Sequence, residues 1–218
     1  MNFEFSDEQI AMKDEVRKLL DKENSLKRNR TILEGEEKFD KDLWNSLVSM
    51  GLTAVTIPEE FGGIGMGYLE LCVIAEELGR AIAPVPYSSS VYLATTAILN
   101  CASDEIKKEF LPKLASGEII GTFAHAESSG FPLEKSINCN FASGKISGTK
   151  AAVPDADIAD FAIVSAKSSS GVGLYLVDLK DPNIEITSLD TFDPSRSHAN
   201  IDIKDASAKE LISDGWLE

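Results

Sequence analysis

The sequence holds few of the residues that build disulfide frameworks and metal centres, with three cysteines and two histidines among 218 residues. Cys72, Cys101 and Cys139 are odd in number and far apart, with neither disulfide nor metal-ligand spacing, so reduced and mostly buried thiols are expected. His125 and His198 have no cysteine or carboxylate at ligand spacing, which leaves a zinc site unsupported. No apolar run approaches the roughly 18 residues that span a bilayer. The opening MNFEFSDEQIAMKDEV is too acidic for a secretory signal, so a cytoplasmic location is expected. Positive charge is scarce as well: 21 Lys and Arg against 36 Asp and Glu give a net charge of −15. Such a chain repels phosphate, which argues against nucleic acid as a partner. An anionic ligand needs a local basic patch. Lys27, Arg28 and Arg30 are the candidate, against the plainer reading of a solvated helix end.

What is present reads first as helices. Ser6 followed by Asp7 and Glu8 makes an N-cap with acids in the first turn, and Ile10, Val16, Leu19 and Leu20 follow at helical spacing. A second helix starts near Asp40, carries Leu43, Trp44, Leu47 and Val48 on one face, and stops at Gly51. Pro58 to Gly67 is too glycine-rich for regular structure. Tyr68 to Arg80 is apolar around much of its circumference and reads as a buried helix. Two more helices are expected over Ser88 to Cys101 and Ser103 to Ala115, so residues 1–117 read as an all-helical domain. Trp44 and Trp216 read as packing residues.

At Gly117 the texture changes. Ile119 to Ala124, Ile137 to Ile146, Phe161 to Ala166, Gly173 to Leu179 and Ile184 to Thr187 are short β-rich runs, with a hairpin turn within Phe141 to Ile146 and a loop at Ser168 to Gly171. Short strands at near-regular spacing favour a small barrel or sandwich over a parallel sheet. Residues 118–218 therefore read as a β-domain, and the fold class as α+β.

The punctuation of this helical-then-β order resembles the acyl-CoA dehydrogenases. The residues that carry the resemblance are Phe5 to Gln9, Pro58-Glu59-Glu60-Phe61-Gly62-Gly63-Ile64-Gly65, Ala75 to Arg80 and Phe110 to Glu118 in the helical half. Ser147-Gly148-Thr149-Lys150, Ala156 to Ala162 and Phe192-Asp193-Pro194-Ser195-Arg196 carry it in the β half. The resemblance implies an FAD cofactor, an acyl-CoA substrate desaturated between Cα and Cβ, an electron-transfer acceptor, and homo- or hetero-oligomers. It also implies a catalytic glutamate on a C-terminal four-helix bundle, which this chain is expected not to reach, leaving an apolar surface where that bundle packs.

Two stretches depart from the family pattern. Where members carry Thr-Glu-Pro-x-x-Gly-Ser-Asp against the flavin, this chain has Ala126-Glu127-Ser128-Ser129-Gly130-Phe131-Pro132-Leu133. Where an aromatic residue and Ile-Thr follow the Asn-Gly-x-Lys motif, it has Ala151-Ala152-Val153-Pro154. The resemblance thus places Phe123, His125, Ala126, Ser128, Ala152 and Pro154 at the cofactor, with no catalytic base and no metal ligand in the chain. A missing hydroxyl at Ala126 removes one hydrogen bond, Ala152 removes a stacking surface, and Pro154 has no N–H. A flavin-free subunit supporting a catalytic partner is the alternative. His125 is either a ligand-facing donor or a strand histidine paired with backbone or solvent.

Overall fold

Helix α1 (Asp7–Glu23) begins where the sequence signals it. Ser6 Oγ accepts from Gln9 N, and Gln9 Oε1 accepts from Ser6 N, a reciprocal cap that satisfies two backbone amides. The computed structural model describes residues 4–35, 37–129, 133–193 and 195–214. Residues 130–132, 194 and 216, which enter the motif and packing readings above, lie outside the described residues. Two compact units divide the chain, Met1–Val85 with Ala115–Gly117 and Pro86–Leu114 with Glu118–Glu218.

The first unit contains α1, α2 (Leu26–Glu34), α3 (Lys41–Ser49) and α4 (Tyr68–Arg80). Val16, Leu20, Ile32, Leu43, Trp44, Leu47, Ile57 and Ile74 are buried in it. Helix α2 is absent from the sequence reading, because its charged face outweighs the two residues it buries, Asn29 and Ile32. Two of its three candidate basic residues already have acidic partners, Arg30 with Glu34 and Arg28 with Asp40. Arg28 grips Asp40 with Nε at 2.7 Å and Nη2 at 3.0 Å, which fixes the cap of α3 and holds the Asp40 carboxyl below its usual range. Glu77 on α4 is fully buried between Arg17 and Arg80. Gly117, at φ +67, lies so close to Val48 that a Cβ there would overlap its side chain. Cys139 is buried and Cys101 half-buried, but Cys72 is exposed, contrary to expectation, because it sits on the outward side of α4.

The second unit holds the π-helical segment Ser88–Thr95, α5 (Thr96–Cys101), α6 (Asp104–Ala115) and seven strands. The expected single helix over Ser88 to Cys101 is therefore wound as one π and one α segment. The strands are β1 (Gly121–Ala124), β2 (Asn140–Ala142), β3 (Lys145–Pro154), β4 (Phe161–Lys167), β5 (Val172–Asp178), β6 (Ile184–Leu189) and β7 (His198–Ile212). Strand β4 pairs with β5, β5 with β7, β7 with β3, and β3 with β2. Strand β2 returns to β4 through Asn140 and Lys167, which closes a barrel-like ring. Strand β1 runs parallel to β4 ahead of β2 on the same edge. Ala124, Ile137, Cys139, Val164, Tyr175, Ile201 and Ala206 fill the interior.

The longest strand, β7, is not among the sequence-based runs. Its buried residues are Ala199, Ile201 and Ile203, then Ala206 and Leu211; the alternation changes phase at Asp205, which sits at φ +63. The register with β3 slips at the same place, so a bulge hides a 15-residue strand from a period-two reading. The hairpin between β2 and β3 forms as expected, with Ser143 at φ 52 and Gly144 at φ 78. No helix among the described residues is long and apolar enough to cross a membrane.

Candidate functional site

The end of β1 and the middle of β3 run side by side. Thr122 Oγ1 donates to the Pro154 carbonyl at 2.6 Å, and Ala151 N donates to the Ala126 carbonyl at 2.8 Å. These two bonds bring Phe123, His125 and Ala126 beside Ala152 and Pro154. Ser128 lies beyond them in an exposed stretch. Strand β3 bulges between Lys150 and Val153, and Ala152 takes φ +50 with its N–H donated to Asn200 Oδ1 at 3.0 Å. A non-glycine residue in that conformation is locally strained and needs such a partner to hold it.

Among the described residues, the half-buried Ala126 N–H meets no acceptor, while its carbonyl is taken. The carbonyls of His125 and Pro154 are also engaged, by Lys150 and Thr122. The strand edge therefore offers a donor at Ala126 and none at Pro154, whose ring nitrogen carries no hydrogen.

Behind this edge is a buried charged network. Lys150 is fully buried, and its Nζ lies 2.7 Å from Glu127 Oε1, 3.1 Å from the His125 carbonyl and 3.1 Å from Ser165 Oγ. Glu127 also accepts from the backbone N–H groups of Asn138 at 2.6 Å and Cys139 at 2.9 Å. Burial alone would raise the Glu127 carboxyl, but Lys150 and the two amides outweigh it and hold it below its usual value. Burial lowers the Lys150 ammonium, against the pull of Glu127. The neighbouring Cys139 thiol is pushed up by burial to about 11 and is no nucleophile.

A second polar cluster sits where β3 ends. Asp155, at φ +55 and buried, accepts from Ser89 Oγ at 2.5 Å and Arg196 Nη2 at 2.6 Å. Arg196 Nη1 also donates to Ser88 Oγ. This clamps the start of the π-helical segment to the ring of strands. The resemblance singled out Arg196, but its partner Asp155 carries no signal in sequence, being 41 residues away. A cavity of about 410 Å³ floored by Phe110, Ile119, Phe161 and Leu176 lies elsewhere in the same unit and touches none of the six candidate residues.

The acyl-CoA dehydrogenase N-terminal domain matches residues 6–118. The chain belongs to the acyl-CoA dehydrogenase family. Acyl-CoA dehydrogenase FadE27 of Mycobacterium tuberculosis is 32% identical over 157 residues, which cover 72% of this chain and 42% of that protein. Mitochondrial isovaleryl-CoA dehydrogenase of Pongo abelii is 29% identical over 190 residues, covering 79% and 44%. Among solved structures, the ChsE4-ChsE5 complex from Mycobacterium tuberculosis superimposes with a TM-score of 0.85 at 26% identity, over 96% of this chain and 57% of that one. The chain thus spans about half the length of the relatives it matches. Helices followed by a barrel-like sheet, expected from the resemblance, agree with these relatives.

Proposed function

We propose that this chain supplies the N-terminal and middle domains, residues 1–117 and 118–218, of an FAD-dependent acyl-CoA dehydrogenase that desaturates an acyl-CoA thioester. The observation that carries the reading, beside the family match, is the place where the chain just after β1 meets β3. There the half-buried Ala126 N–H lacks an acceptor among the described residues. A half-buried donor without a partner suits the oxygen- and nitrogen-rich edge of an isoalloxazine. Phe123, His125 and Ala126 would hold that edge, with Ala152 offering only a small apolar contact.

FAD bound there would supply the two-electron acceptor for desaturation. The Lys150–Glu127 network makes the strand end rigid, so its amide is aimed before a ligand arrives. The base for the Cα proton is assigned to the family's C-terminal bundle, outside residues 1–218, and the electrons are passed to an electron-transfer acceptor.

A second reading is favoured by Ala126, Ala152 and Pro154, where a hydroxyl, a stacking ring and a backbone donor are replaced. In it the chain is a flavin-free subunit of a hetero-oligomer, in keeping with a structural relative described as a two-component complex. Visible absorption and flavin fluorescence of the purified chain, titrated with FAD alone and with its partner chains, separate the two. Stoichiometric flavin in either mixture supports the dehydrogenase. Colourless protein in both, with the partner chains themselves binding flavin, refutes flavin binding by this chain and leaves the subunit reading.

A further inference from the structure

The order of donors around Lys150 fixes something that its place behind the strand edge does not reveal. An ammonium has three N–H donors and no acceptor. Those of Lys150 face three oxygens, on Glu127, the His125 backbone and Ser165, at 2.7, 3.1 and 3.1 Å. Ser165 Oγ must therefore accept from Lys150. The Ser165 hydroxyl is itself fully buried, and its own proton needs an acceptor. Among the described residues, the one other polar atom within its reach is His125 Nδ1, at 2.8 Å. An Nδ1 that carried a proton would leave the buried Ser165 hydroxyl with two donors pointed at it and nowhere to send its own.

We infer that Lys150 acts through Ser165 to fix the His125 ring as the Nε2–H tautomer, with Nδ1 as a bare acceptor. Lys150 and Ser165 are then positioning residues: one strand away from the edge, they decide that the His125 ring offers a hydrogen at Nε2. Whatever meets Nε2 must bring a lone pair. The use of that donor toward a carbonyl-rich cofactor edge rests on the flavin reading above; the tautomer itself does not. Glu127, ionised and held by two backbone amides, keeps Lys150 an ammonium. A neutral Lys150 amine would present its lone pair to Ser165 and reverse the whole chain of donors, placing the ring proton on Nδ1 instead.

The test is a long-range ¹H–¹⁵N correlation spectrum of the imidazoles in the full chain at pH 8. The sequence has two histidines, so a His198→Gln variant assigns both. A pyridine-like Nδ1 and a pyrrole-like Nε2 on His125 are expected. Ser165→Ala should convert this pattern to an averaged mixture, and Ser165→Thr, which keeps the hydroxyl, should restore it. A purely structural role for Ser165 would change stability without moving these shifts. A majority Nδ1–H form in the wild type, or an unchanged pattern in Ser165→Ala, overturns the inference. Parallel FAD titration separates this outcome from the fate of the flavin reading. The expected tautomer without flavin binding upholds the lock and removes only its cofactor use, and flavin binding with the opposite tautomer overturns the lock alone. Where flavin binds, Ser165→Ala should weaken it by up to about tenfold, the effect of one lost hydrogen bond.

Discussion

Replacing Glu77 by Gln should remove an acid-sensitive part of this chain's stability. The Glu77 carboxylate on α4 is fully buried and accepts from Arg17 Nη2 at 2.6 Å, Arg17 Nε at 2.9 Å and Arg80 Nε at 2.7 Å. The hydrogen bonds from Arg17 are the largest cause that brings its carboxyl down from 4.5 to about 2; burial opposes them, and Arg80 adds to them. Because the folded value is depressed, the stabilisation is complete above pH 4.5 and is lost as the pH falls toward 2. The difference corresponds to about 3 kcal/mol at neutral pH as an upper figure. The Arg17 and Arg80 side chains are 43% and 40% exposed, and water around them screens the pair. We therefore expect Glu77→Gln to cost about 2 kcal/mol at pH 7. Urea unfolding of both proteins, followed by circular dichroism, should show that gap shrinking by more than half at pH 3. A gap that stays constant from pH 7 to pH 3 would refute the reasoning, since the cost would then come from shape and not from charge.

Two further expectations follow from burial and backbone. Iodoacetamide at pH 8 should alkylate the exposed Cys72 first and Cys139 last, as its thiol is buried and raised to about 11; peptide mass spectrometry reads the order, and early modification of Cys139 would contradict the closed interior around it. Gly117→Ala should destabilise by about 2 kcal/mol, because it adds a Cβ at φ +67 against the Val48 side chain. An urea midpoint unchanged from the wild type would show that Val48 gives way at no cost.

Much of this architecture was legible locally. Helix α1 is written in Ser6 and Gln9, α3 in Asp40 and its apolar face, and the β2–β3 turn in Ser143-Gly144, since caps and tight turns depend on residues three or four positions apart. The resemblance placed Phe123, His125 and Ala126 on one strand end and Ala152 and Pro154 on another, and the two ends do lie together. Local patterns failed where a tertiary partner changes the meaning of a residue. The pairing of Arg28 with Asp40, 12 residues on, has no signal in the sequence, and β7 was lost because Asp205 shifts its alternation by one.

The sequence by itself determined the order of helices then strands, the family, and that Ala126, Ala152 and Pro154 stand where the resemblance implies other residues. Only the tertiary structure decided what stands behind them. Lys150, Glu127, Ser165 and His125 are joined through strands β3 and β4 and the chain beyond β1, so no spacing in the sequence announces their network. The physical reason is that a buried donor must find an acceptor wherever the strand pairing happens to bring one.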